Sequence, residues 1–171
     1  LLCFFCLTSC ISSYDLKKQS TNFTTGIIAI DKLNDIYKNQ PDSSSGISLW
    51  TALRDCKTFR KDTTKFTEKA IVSLFVNNKN KMTVRLIEDD KTLSEITLKI
   101  KINKDYISVK RNLRLIPIPF FFFVYHEAKT ILYIQNDSSI NLNYSRQQFL
   151  WVLFAGSVDQ KFESQYKKVN K

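Results

Sequence analysis

Glycine and proline are scarce in this chain: its 171 residues hold three of each, and histidine occurs once. Three glycines cannot serve both a phosphate-cradling loop and the turns of a domain. Neither such a loop nor Gly-x-Ser-x-Gly nor His-Glu-x-x-His occurs in the sequence. The turns must therefore rest on Asn, Asp, Ser and Lys. Cysteine is equally thin in the body of the chain. Cys3, Cys6 and Cys10 crowd the start, which leaves Cys56 alone. A lone thiol makes no intrachain disulfide and no metal-ligand spacing surrounds it, so Cys56 should pack as a small apolar residue.

Against these absences stand an ordinary apolar share of 43%, thirteen Phe and a formal charge of +10. The apolar share suffices for a core, and the length suits one domain, with or without a tail. Excess positive charge raises nucleic acid or an anionic membrane as partners. The cations are scattered, however, and the denser groups, Lys99-Lys101-Lys104 and Lys110-Arg111, fall at alternating or turn-flanking positions. This is how the solvated face of a sheet reads, and it argues against a nucleic-acid site. Attraction to anionic headgroups remains as a secondary effect of about 1 kcal/mol per well-placed cation.

The run Leu1-Leu2-Cys3-Phe4-Phe5-Cys6-Leu7 is uncharged. It is far shorter than the roughly 20 residues a membrane-spanning helix needs, but has the length of a signal-peptide apolar region. No basic segment precedes it, so the reading expects the true start to lie upstream. Leu7-Thr8-Ser9-Cys10 follows, and then a polar stretch from Ser12 to Thr25. The four residues resemble the lipobox of bacterial lipoproteins: an aliphatic residue, two small ones, and a cysteine. That resemblance implies a signal remnant over 1–9, diacylglyceryl on the Cys10 sulfur, and a tether over 10–25. Two or three acyl chains make attachment effectively permanent, at about 0.8 kcal/mol per buried methylene. The competing readings are an ordinary secretory signal and a buried apolar strand. Ile11, rather than Asp, follows the cysteine, which by the usual sorting rule implies the outer membrane, with the facing side left open.

Residues 26–171 read as one β domain. Leu33 to Asn39 opens the sheet, 41–46 is a loop, and Ile47 to Cys56 is a short helix with Ser48 as N-cap and Leu49, Trp50 and Leu53 on one face. From Ala70 the period becomes two. Ala70 to Val76, Met82 to Ile87, Ile96 to Ile102 and Tyr106 to Lys110 are strands separated by polar turns. Leu113 to Tyr125 reads as one extended run, and Thr130 to Ile134, Ile140 to Tyr144 and Phe162 to Val169 as further strands. Short turns allow only antiparallel neighbours. The expected fold is mainly β: an antiparallel meander of about seven to eight strands curled into an open or closed barrel, with one short helix at an end or over the open side.

Two segments break the alternation. Ile116-Pro117-Ile118-Pro119-Phe120-Phe121-Phe122-Phe123-Val124-Tyr125 is apolar at both parities, and its prolines require a bent, bulged or edge strand. Phe149 to Gly156 is apolar throughout and suits a strand or a short helix. Either segment could be plain core. The functional reading makes Trp50, Phe120, Phe121, Phe122, Phe123 and Trp151 a surface for an apolar ligand or a membrane. Catalytic chemistry is thin. His126 has Glu127 beside it but no nucleophile or metal motif to act on. Glu88-Asp89-Asp90 is a turn whose carboxylates diverge, short of the six or more oxygens Ca²⁺ requires. Aromatics such as Tyr106 are not interleaved with cations as a base-stacking platform would be.

The layout is similar to that of small lipoproteins of the Bacteroidetes. The resemblance rests on the lipobox, the Leu33-Asn34-Asp35-Ile36-Tyr37-Lys38-Asn39 opening, the Ser48-Leu49-Trp50 helix start and the meander. It implies location and fold, with no cofactor. Three functions follow for testing: a non-catalytic envelope lipoprotein whose barrel-like body binds another envelope component or an apolar ligand, a lipid carrier or chaperone with the Phe120–Phe123 run lining a cavity, and a degenerate hydrolase around His126.

Overall fold

The computed structural model describes residues 30–43, 46–58, 64–78, 80–118, 122–136, 138–151 and 156–169. Cys10, with the signal and tether readings, and Phe120 and Phe121 lie outside these. A helical turn, α1 (Ile30–Leu33), leads into β1 (Asp35–Lys38), followed by helix α2 (Leu49–Asp55). The strands β2 (Ile71–Asn78), β3 (Lys81–Glu88), β4 (Lys91–Ile102), β5 (Ile107–Ile118), β6 (Phe122–Asn136), β7 (Ser139–Trp151) and β8 (Gly156–Lys167) complete the chain. Each strand pairs antiparallel with the next, in the order β1 to β8. The two ends then meet: Tyr37 bridges Lys168, and the Val169 N–H donates to the Ile36 carbonyl at 2.9 Å. The expected meander is therefore present, with eight strands and a nearly closed barrel.

Alternation explains which face turns inward. Val72, Leu74 and Val76 of β2, Met82, Val84 and Leu86 of β3, and Ile96, Leu98 and Ile100 of β4 form one continuous buried cluster with Ile107, Leu132, Leu142 and Tyr166. The turn between β3 and β4 needs left-handed backbone at both central residues. Asp89 and Asp90 supply it with φ of 48° and 60°, at a cost glycine would avoid.

Helix α2 fills the interior. Ser48 caps it, accepting from the Thr51 N–H at 3.3 Å. Asn39 holds its first turn from outside, taking the Leu49 N–H on its carbonyl and the Trp50 N–H on Oδ1. Leu49, Trp50, Ala52 and Leu53 are all buried, and α2 packs against both β3 and β6. Gly46 lets the preceding loop lie on β8: a Cβ there would come within 2.6 Å of Pro41 Cγ and Ser164 Oγ.

One expectation fails in detail. Leu113 to Tyr125 is not a single strand, because the chain reverses between Ile118 and Phe122 and the run forms the ends of both β5 and β6. Thr130 to Ile134 is likewise the continuation of β6. The proline expectation fares better. Two residues of β5 stand opposite one of β6 between Val109 and Asn112, a bulge. Beyond Val109, β5 has no partner on the β4 side among the described pairings. Among the described residues Pro117 therefore sits on a sheet edge, where a missing N–H breaks no ladder bond.

Candidate functional site

Three places gather chemistry, and they differ in kind. The first is buried where α2 ends. Asp55 is 1% exposed, although it lies in a helix otherwise packed by apolar groups. Its Oδ1 accepts from Arg54 Nη2 at 2.9 Å, and its Oδ2 accepts from the Tyr144 hydroxyl at 2.9 Å and Arg146 Nη1 at 3.4 Å. Asn112 Nδ2 donates to its backbone carbonyl. Next to it, Cys56 Sγ lies 3.2 Å from Thr130 Oγ1, and Thr130 Oγ1 donates to the Ala52 carbonyl. Burial pushes the Cys56 thiol up to about 12, with a smaller lowering from Thr130. A thiol so held stays neutral and unreactive at physiological pH. Burial and the neighbouring carboxylate likewise raise the Tyr144 phenol above its ordinary 10. These groups suture helix to wall.

The second place is on the opposite face of β6. Glu127, 2% exposed, receives Arg111 Nη1 at 3.2 Å, Lys129 Nζ at 3.2 Å and the Tyr125 hydroxyl at 2.8 Å. His126 points the other way. Burial first, then the Arg146 and Arg114 charges, hold its imidazole below the usual 6.5. A groove of about 740 Å³ beside the β1–β8 seam is lined by Lys38, Asp42, Glu68 and Lys69 among others. Its charges are mixed and select no ligand class. Among the described residues no cluster of His, Cys, Asp or Glu could hold a metal ion. No described helix is long and apolar enough to cross a membrane.

The third place is the end of the sheet formed by β5, β6, β7 and β8. Directly paired residues share a face, so the register reads as rungs. One face begins with Asn112, Ala128, Arg146 and Gln160, continues with Arg114, His126, Gln148 and Val158, and ends with Ile116, Val124, Leu150 and Gly156. The other begins with Leu113, Glu127, Gln147 and Asp159. It continues with Leu115, Tyr125, Phe149 and Ser157 and ends with Pro117, Phe123 and Trp151. Both faces thus grade from polar to apolar toward the two hairpins. Leu113 and Leu115 are 48% and 61% exposed. Comparisons with family models, with curated proteins and with solved structures find no match.

The residues expected to form an apolar surface are divided by this geometry. Phe123 and Trp151 are direct cross-strand partners, and Phe122 pairs with Ile118 at the same sheet end. Trp50 does not join them. It is 1% exposed inside the barrel, because α2 turns its apolar stripe to the core. Its burial takes it off any outward, membrane-facing surface. Sequence reasoning missed Asp55, although a signal existed: three residues after Ala52, it falls on the buried stripe of the helix.

Proposed function

We infer that this chain is a non-catalytic lipoprotein of a bacterial cell envelope, held at the membrane through Cys10 and acting through the outside of its barrel. The observation that carries the mode of action is the occupied interior. Leu49, Trp50, Ala52 and Leu53 enter from α2 and meet side chains from the wall with at most 1% exposure, which leaves the inner volume to protein rather than to cargo. This favours an interaction module over a carrier of lipid or other apolar ligand. Address is supported by Leu7-Thr8-Ser9-Cys10 behind an uncharged apolar run, with the outer membrane as the favoured destination.

Mass spectrometry of the protein extracted from membranes of its native host tests the address: acyl mass on Cys10 is expected, and an unmodified, soluble mature protein refutes it. Lipid analysis of the same native extract tests the mode of action. No stoichiometric apolar ligand should accompany the barrel, whereas a retained one reinstates the carrier.

A further inference from the structure

We propose that the free end of the β5–β8 sheet inserts into the interfacial layer of an anionic membrane leaflet. The proposal does not require acylation of Cys10.

Four features point to this end and to that occupant. The strands run past the core: Asn112 and Ala128 form the last rung level with the Asp55 cluster, and β5 continues to Ile118. From Leu115 to Ile118, with their partners on β6 and β7, the rungs are apolar on both faces except for Ser157 and Gly156 of β8. Three such steps cover about 10 Å at 3.4 Å per residue, the depth to which interfacial elements bury their apolar face.

Charge supplies the second feature. Just below the apolar rungs, the exposed charges of residues 110–114, 126–129, 145–148 and 158–161 are Lys110, Arg111, Arg114 and Lys161 against Asp159, four cations less one carboxylate; Lys129 is buried against Glu127, and Arg146 meets the buried Asp55. An exposed belt of +3 under an apolar tip matches an anionic headgroup layer over hydrocarbon. Edge chemistry is the third. Beyond Val109, β5 has no described partner on the β4 side, and open sheet edges are not tolerated deep in hydrocarbon. Insertion must stop at the interface, and Pro117 removes one donor there. The fourth feature separates membrane from a second copy. A β5–β5 edge centred on Asn112 would set Lys110 of each copy against Arg114 of the other, and charged edges of this kind block self-pairing.

The test uses the full chain with Cys10→Ser, so that no acyl chain contributes. Sedimentation with phosphatidylcholine vesicles, plain or containing phosphatidylglycerol, should give binding to the anionic ones that weakens with salt. Bromine on the acyl chains should quench Trp151 and leave the buried Trp50 unaffected. Trp151→Phe should bind and lose the quenching. Lys110→Gln with Arg114→Gln should weaken anionic binding about 25-fold, taking a factor of about five for each cation. Ile118→Ser with Phe122→Ser, at the last paired rung of β5 and β6, should keep the parental urea midpoint and lose binding at least tenfold. The idea is overturned if the parent binds neither vesicle or binding occurs without quenching. It also fails if the serine pair binds undiminished, as when Leu1 to Leu7 provides the attachment, or if light scattering finds a dimer that the serine pair dissolves. Failure here leaves acylation of Cys10 untouched, and an unacylated Cys10 in the native protein leaves this result untouched.

Discussion

Replacing Trp50 with Ala should cost about 4 kcal/mol of folding stability. The indole is 1% exposed, and a tryptophan side chain buries about 200 Å² on folding. At about 25 cal/mol per Å² this corresponds to roughly 5 kcal/mol of transfer free energy. Alanine recovers a small part of it, and relaxation around the hole recovers a little more. Large-to-small changes at aromatic core positions cost about 3–5 kcal/mol. The hydrogen bond from the Trp50 backbone N–H to Asn39 Oδ1 survives the change, so the loss is one of packing. With a urea slope of about 2 kcal/mol/M, the midpoint should fall by about 2 M, and Leu53→Ala should lose about 2–5 kcal/mol by the same reasoning. Equilibrium urea unfolding, followed by near-ultraviolet circular dichroism, makes the measurement. A fall below 0.5 M for both variants would refute the packed interior, and with it the preference for an interaction module.

Three further outcomes follow from local chemistry. Asp55→Asn keeps the shape but leaves Arg54 and Arg146 beside a neutral amide, so urea unfolding should register a loss of about 3 kcal/mol, in the range for breaking a buried pair; an unchanged midpoint would mean the three charges are solvated. The depressed His126 pKa means the folded state keeps the imidazole neutral while the unfolded chain protonates at its ordinary 6.5. Its contribution is therefore complete above pH 6.5 and lost as pH falls through the lower folded value; the melting temperature should drop over that window in the parent and stay flatter in His126→Gln, and parallel profiles would dismiss the effect. Asp89→Asn with Asp90→Gly fits the left-handed turn φ values of 48° and 60° and should raise stability by about 0.5–1 kcal/mol in thermal unfolding; a loss would place the turn in another geometry.

What was legible in the sequence was whatever obeyed a period. Ile96 to Ile102 alternates because one face of β4 meets the core and the other meets water, and Ile96, Leu98 and Ile100 are the buried ones. Ser48 was readable as a cap because its hydroxyl competes for helix N–H groups. The apolar hairpin was not readable. Turns are recognised by Gly, Asn, Asp and Ser, whereas the sequence between the end of β5 at Ile118 and the start of β6 at Phe122 contains none of these. An unbroken Pro and Phe sequence carries no polar turn signal, and one run of thirteen residues conceals two strand ends. The meeting of Phe123 with Trp151 was equally hidden, since register follows from pairing across long strands. Trp50 misled for the opposite reason: an aromatic early in a helix looks the same whether its stripe faces core or membrane.

Chain direction constrains how an acylated Cys10 and the apolar sheet end could serve one membrane. β8 descends from the hairpin end at Gly156 to Lys167, and β1, antiparallel to it at the Tyr37–Lys168 bridge, rises from Asp35. Ile30 therefore enters at the end of the barrel remote from the hairpins. The separation is set by β6, fifteen residues long, or about 50 Å of strand. A tilt near 40° reduces this to about 40 Å of height. Residues 11–29 number nineteen and can span at most about 65 Å when extended, so both attachments fit with some 25 Å to spare. Removing residues 13–20 leaves eleven, with a reach of about 38 Å, and the two attachments then compete. In the acylated protein, the parent should show bromine quenching of Trp151 on anionic vesicles, and the shortened form should remain bound through its lipid with that quenching lost. Equal quenching in both would mean that the barrel lies over on its side, with its long axis near the membrane plane.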